Sequence, residues 1–140
     1  MRLGAEDARA LLSAHVHGVL CTLHPERGPD PLPVVYAMTG EGYIGVPIDS
    51  VKPKSSARLR REENLTFDPR AALLVERWDA ADWSRLWWVR AHLRHVADPP
   101  QTVADDLADR LERAAPQYTG KPFHRLLVCR IVAISGWSAR

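Results

Sequence analysis

The apolar residues of this 140-residue chain come in short runs, and each run ends where the sequence turns a backbone. The runs cover residues 19–23, 32–38, 43–48, 71–75, 86–96 and 126–134. Between them lie P-E-R-G-P-D-P over residues 25–31, Thr39-Gly40-Glu41-Gly42, Asp68-Pro69 and Gly120-Lys121-Pro122. Short apolar runs bounded by Pro, Gly and Asp predict strands. The first three have tight connections and predict an antiparallel meander. Pro33 and Pro47 lack an N–H and belong at strand ends or on a sheet edge. Residues 71–75, A-A-L-L-V, are almost continuously apolar, as for a strand buried on both faces. In residues 86–96, L-W-W-V-R-A-H-L-R-H-V, neighbours face opposite ways. Trp87 and Trp88 therefore cannot fill the same core: one packs inward, and the other must meet a ligand, a partner chain or a loop.

Three stretches carry a helical period instead. Ala8, Leu11 and Leu12 recur within residues 5–14, with Glu6 and Asp7 in the first turn. A second helix is predicted after Lys54 and runs to about Asn64, with Arg58 and Glu62 spaced as an i, i+4 pair. Asp98-Pro99 opens a third, with Asp as cap and Pro at the first helical position, followed by Val103, Leu107, Leu111 and Ala114. The tally is six to seven antiparallel strands with two to three peripheral helices, a mainly β, barrel-like sheet. A chain of this length predicts one domain over residues 1–140, burying roughly two thirds of its unfolded surface.

Charge and composition remove several functions. Nineteen basic residues stand against 17 acidic ones, and a net charge of +2 is too small to imply nucleic acid. The opening M-R-L-G-A-E-D-A-R has acidic residues where a signal peptide needs an apolar core, and no apolar run approaches a membrane span. The expectation is a cytoplasmic protein without a membrane partner. Cys21 and Cys129 lie far apart within apolar runs and read as separate buried thiols. His15, His17 and His24 fall close together, but their spacing at a helix-to-strand junction is not that of a metal site. Five tryptophans are the unusual entry in the composition, and they point to a stacking pocket, a subunit interface, or both. Trp78 and Trp83 are expected to anchor the loop over residues 76–84.

The stretch with the most chemistry is D-S-V-K-P-K-S-S-A-R-L-R-R-E-E-N, residues 49–64. Lys52, Lys54, Ser55 and Ser56 cluster where a strand gives way to a helix. The first backbone N–H groups of a helix have no intrahelical partners, and its dipole adds partial positive charge there. A phosphate group would satisfy these donors together. The plainer alternative is a solvated basic helix cap. A nucleic-acid role is disfavoured by Glu62 and Glu63 on the same segment.

The order of these features resembles the pyridoxamine-phosphate-oxidase-like split barrels. Its elements are a first helix, three strands, Lys52-Pro53-Lys54, Leu59-Arg60-Arg61 with Asn64, the D-P-R turn, the strand L-W-W-V-R, and the ending I-S-G-W. Within that group the chain looks like a branch of actinobacterial proteins assigned to the deazaflavin coenzyme F420. The resemblance implies a homodimer with two cofactor sites at the subunit interface and a small-molecule substrate. It implies that Lys54 holds the cofactor phosphate, with Ser55 beside it and Lys52 assisting. It places backbone groups of Val34, Val35 and Tyr36 at the ring, and Trp88 at the ring from the partner chain. Where many relatives have an acidic residue followed by Gly after Arg90, this chain has A-H-L-R-H, so Leu93 would narrow the site. The expected activity is hydride transfer between F420 and a small organic substrate, with FMN as the alternative cofactor. The additional cations Lys52, Arg58 and Arg61 suit the longer acidic tail of F420. No Ser-His-Asp set, carboxylate pair or metal motif is present in the sequence, so no catalytic side chain is assigned. A protein that binds a flavin or another planar ligand without turnover needs the same pocket.

Overall fold

The computed structural model describes the backbone of residues 1–49, 56–121 and 123–140, and their side chains except at positions 49, 56–59, 123 and 124. Lys52, Lys54 and Ser55 therefore lie outside the described residues. Seven strands form one antiparallel sheet: β1 (His17–His24), β2 (Gly28–Val35), β3 (Ala37–Met38), β4 (Tyr43–Asp49), β5 (Arg70–Arg77), β6 (Trp87–His95) and β7 (Phe123–Ser138). Their order across the sheet is β2-β1-β5-β6-β7-β4-β3. The sheet curls until β2 and β4 approach one another, which makes it a split barrel. Helices α1 (Ala5–Ser13), α2 (Ser56–Phe67) and α3 (Gln101–Ala114) lie around it. The mainly β, barrel-like expectation is met.

The meander is not. β1 and β2 pair as a hairpin at one end of the sheet, whereas β3 and β4 pair at the other. The chain crosses between them at Tyr36, whose ring is fully buried and whose N–H donates to the Val16 carbonyl at 2.9 Å. Its hydroxyl donates to the Leu12 carbonyl of α1, and burial pushes the phenol pKa well up. The turn after β1 is also shorter than expected. Pro29, Pro31 and Pro33 lie within β2, opposite Leu23, Cys21 and Val19. At alternate positions their missing N–H groups fall on one side of the strand, and a terminal strand can turn that side to solvent. Pro47 is accommodated similarly, since β3 reaches only Ile44 and Gly45 of β4.

Two further expectations change. α3 starts at Gln101 and not at Pro99, because Asp98 and Pro99 each precede a proline and are pushed out of the helical region. β5 is buried on one face only: Ala71, Leu73 and Val75 point into the core, and Leu74 is 41% exposed.

The barrel interior holds Leu20, Tyr36, Ile44, Leu65, Leu73, Val89 and Leu93, with Ala8 and Leu12 of α1 packed among them. A second cluster lies outside the sheet, where Val103, Leu107 and Leu111 of α3 cover Ala37 and Val128. Gly45 permits that approach, since a Cβ there would meet Leu107 at 3.0 Å. Both cysteines are free thiols, Cys129 buried and Cys21 half-buried. Burial pushes the Cys129 thiol up to about 12. Trp78 and Trp83 do not anchor their loop in the core: they are 61% and 64% exposed and stack on each other at 5.6 Å. Glu62 pairs with Arg125 of β7 at 2.7 Å, and the Arg58 side chain lies outside the described residues.

Candidate functional site

Alternation along β6 separates its two tryptophans. Val89, Ala91 and Leu93 point inward, so Trp88 and Arg90 point outward. The antiparallel register sets Glu76 and Trp137 on either side of Trp88, and Leu74 beside Arg90. With Arg77 at the end of β5 and Trp78 and Leu86 from the adjoining loop, these side chains line an open groove of about 620 Å³. That volume falls within the range of about 300–1,000 Å³ common for small-molecule sites. The lining is mainly apolar and aromatic, with Glu76, Arg77 and Arg90 as its charges. The Arg90 guanidinium lies 5.3 Å from the centre of the Trp88 ring, a cation–π distance. Arg90 also donates to the Ser135 hydroxyl at 3.4 Å. Such a surface can stack a planar ring and set a charge at its margin. Trp87 goes the other way, packing against the core and lying 4.7 Å from the His15 ring.

The remaining expected site residues are placed elsewhere. Val34 is buried in the barrel interior, and Val35, half-buried, packs against the cluster under α3. Both sit on β2, three strands away from β6 in the sheet order. Three inter-strand steps correspond to roughly 14 Å along the sheet. Within one chain, therefore, Trp88 does not share a groove with Val34, Val35 and Tyr36. Leu93 is core, 2% exposed, and does not enter the groove.

Helix α2 follows the lysine segment directly, and its inner side is fastened to the β1–β2 hairpin. Asn64, 1% exposed, donates through Nδ2 to Thr22 Oγ1 and to Asp30 Oδ2, both at 3.0 Å. Arg61 is buried on the same helix and is not a surface cation. Leu74, Glu76, Arg77, Leu86 and Trp137 complete the groove around Trp88, and sequence reasoning missed their grouping. Strand alternation hints at Trp88, but its neighbours follow only from register. Among the described residues no group of three His, Cys, Asp or Glu could hold a metal ion, and no helix is long and apolar enough to cross a membrane.

No protein-family model matches the chain, and no curated protein matches it. Solved structures do. A FAD-binding protein from Mesorhizobium loti superposes with a TM-score of 0.69 at 17% identity, over 97% of this chain and 95% of that one. An FMN-binding protein from Syntrophomonas wolfei subsp. wolfei gives 0.68 at 20% identity, over 95% and 85%. A heme binding protein from Mycobacterium smegmatis gives 0.67 at 19% identity, over 96% of this chain and 57% of the other. At these identities the likeness is one of fold.

Proposed function

We propose that this chain binds a flavin-type cofactor as a homodimer, with FMN the better-supported occupant and F420 the second. The observation that carries this is the tryptophan groove: an apolar, aromatic-lined surface of ligand size whose lining includes no residue of α1, α2 or α3. Proteins of the same fold named for FAD and FMN support a flavin as the planar group. In the dimer, Val34, Val35 and Tyr36 of one copy flank the ring, and Trp88 of the other copy covers it. The separation of these residues within one chain favours a site shared between two chains. Lys54, with Ser55 and Lys52, holds the phosphate, and α2 is fixed to the hairpin by Asn64 just after that segment.

A bound flavin or deazaflavin would supply hydride transfer to a small organic substrate. The chain's own contribution is to hold the phosphate, orient the ring and exclude water from its face. The Tyr36 N–H is already donated to Val16, so at that position the carbonyl is the backbone group left for a ring. What favours F420 is the charge of Lys52 and Arg58, whereas the burial of Arg61 removes one of the cations that suited its acidic tail.

Titration of FMN and F420 into the native protein and Lys54→Ala, at two ionic strengths, tests the assignment. Native affinity should exceed that of the variant by about one to two decades, and its salt dependence should be steeper. Sedimentation should give twice the 15.7 kDa chain mass. Equal affinities in the two proteins would place the phosphate elsewhere, and a monomer that still binds flavin would end the shared-site geometry.

A further inference from the structure

A second cleft, of about 420 Å³, adjoins the tryptophan groove and has a different chemistry. Its lining is Arg77, Asp82, Ser84, Arg85, Trp87, Ser138 and Arg140. The register explains how residues so distant in sequence meet. Arg77 pairs with Trp87, and Trp87 with Ser138, so the three stand in one row at the end of the barrel. The short 3-10 turn at Trp83–Arg85 brings Ser84 and Arg85 to that row. Arg140 is tied to the turn through its Nε, which donates to the Ser84 carbonyl at 3.0 Å.

Three guanidiniums thus face one cleft with a single carboxylate, Asp82. That carboxylate is already engaged, accepting from the Ser84 N–H at 3.1 Å and the Ser84 hydroxyl at 2.6 Å. Among the described residues the Arg85 guanidinium has a single, long ion-pair contact, to Asp79 at 3.7 Å. The Arg77 side chain forms no ion pair or hydrogen bond among the described residues, its backbone being paired in the sheet with Trp87. The Ser138 oxygen accepts from the Arg140 N–H at 3.3 Å, which leaves its own proton to donate. Guanidinium forks with a hydroxyl between them match the oxygens of a phosphoryl group, and the surplus of positive charge suits a dianion.

We infer that this cleft is an anion site that takes a phosphoryl group, separate from the Lys54 segment and independent of the flavin assignment. Arg77 lines both this cleft and the groove, so a phosphorylated ligand seated here adjoins the occupant of the tryptophan face.

The test uses inorganic phosphate as probe, against chloride at matched ionic strength, with the full chain. Arginines are modified with a dicarbonyl reagent and mapped by mass spectrometry. Phosphate should slow modification of Arg77, Arg85 and Arg140 together by several-fold, while the exposed Arg94 and Arg113 react unchanged. In a Lys54→Ala background, phosphate affinity should persist and then fall by about tenfold in Arg77→Gln/Arg85→Gln. Uniform or absent protection overturns the site. So does phosphate binding that disappears with Lys54→Ala alone, or that survives the double arginine substitution unchanged. Flavin titration of the same variants reports on the other assignment separately.

Discussion

The outer surface of the barrel has two halves treated in opposite ways. Over β3, β4 and β7, α3 seals the sheet with Val103, Leu107 and Leu111, and Gly45 lets the helix settle close. Over β5, β6 and the far end of β7, the groove is lined by no residue of α1, α2 or α3, and Leu74, Trp88, Trp137 and Val132 are left partly or largely exposed. Isolated apolar residues on a surface need no explanation, but aromatic residues grouped around a groove mark a place where something else packs. One half of the sheet is completed by its own chain. The other is left open, and it is the face on which the proposed flavin and second copy would pack.

Two leucines break or confirm that contrast. Leu107→Ala should cost about 2–5 kcal/mol of unfolding free energy, the range for a buried leucine left with a cavity. Leu74→Ala, at an exposed position, should cost about 0.5 kcal/mol or less in the isolated chain. Urea denaturation of both at low protein concentration measures the difference. Equal losses would mean that the two halves are packed alike. If the proposed dimer forms, Leu74→Ala should instead weaken association, read by sedimentation across a dilution series.

The tryptophans make the same contrast within one strand. Trp87→Ala removes a ring packed against the core and His15, and should cost about 3 kcal/mol. Trp88→Ala should lose about 1 kcal/mol or less, mainly its contact with Arg90, while flavin binding falls. If both substitutions unfold the protein equally, Trp88 is a packing residue and the groove is not a site.

Much of this organisation is legible in the sequence because it is local. Alternation splits Trp87 from Trp88 whatever the sheet order, and the period of Val103, Leu107 and Leu111 defines the buried stripe of α3. Pairing at a distance is not legible in the same way. The jump at Tyr36 from one end of the sheet to the other depends on α1 offering the Leu12 carbonyl, which no local pattern reports. The run A-A-L-L-V reads as buried on both faces because an exposed Leu74 looks like any core leucine until its neighbours are known. Arg77, Arg85 and Arg140 carry no motif at all, since register alone gathers them. The lysine segment is the reverse case, rich in sequence signal but outside the described residues.

Asn64 should show an intermediate effect. Its amide serves Thr22 and Asp30 at once in a buried setting, so Asn64→Ala leaves two acceptors without that donor. A loss of about 1–3 kcal/mol is expected. Because α2 directly follows the lysine segment, flavin affinity should fall too, even with the fold intact. Lost stability with unchanged flavin affinity would show that α2 does not position the segment.

The smallest effect concerns pH and asks whether the half-buried end of β6 or the open groove responds to it. His95 lies at the end of β6 beside Pro69, to whose carbonyl its backbone N–H donates at 2.7 Å. Burial lowers its imidazole pKa from the ordinary 6.5, and the nearby Glu62 carboxylate partly offsets this. A lowered value means that the unfolded chain takes up its proton first as pH falls. The stabilising contribution is therefore complete above about 6.5, and declines as pH drops through the ordinary value toward the lower folded one. His95→Gln should flatten stability across that window. Glu62→Gln removes the offsetting charge and should extend the decline to lower pH. Glu76→Gln and Arg90→Gln, on the open face, should leave the slope as it is. Unfolding by urea at intervals between pH 5 and pH 8 separates these outcomes. A slope that survives in His95→Gln, or disappears with the groove variants, would move the pH response from the His95 end of β6 to the tryptophan groove.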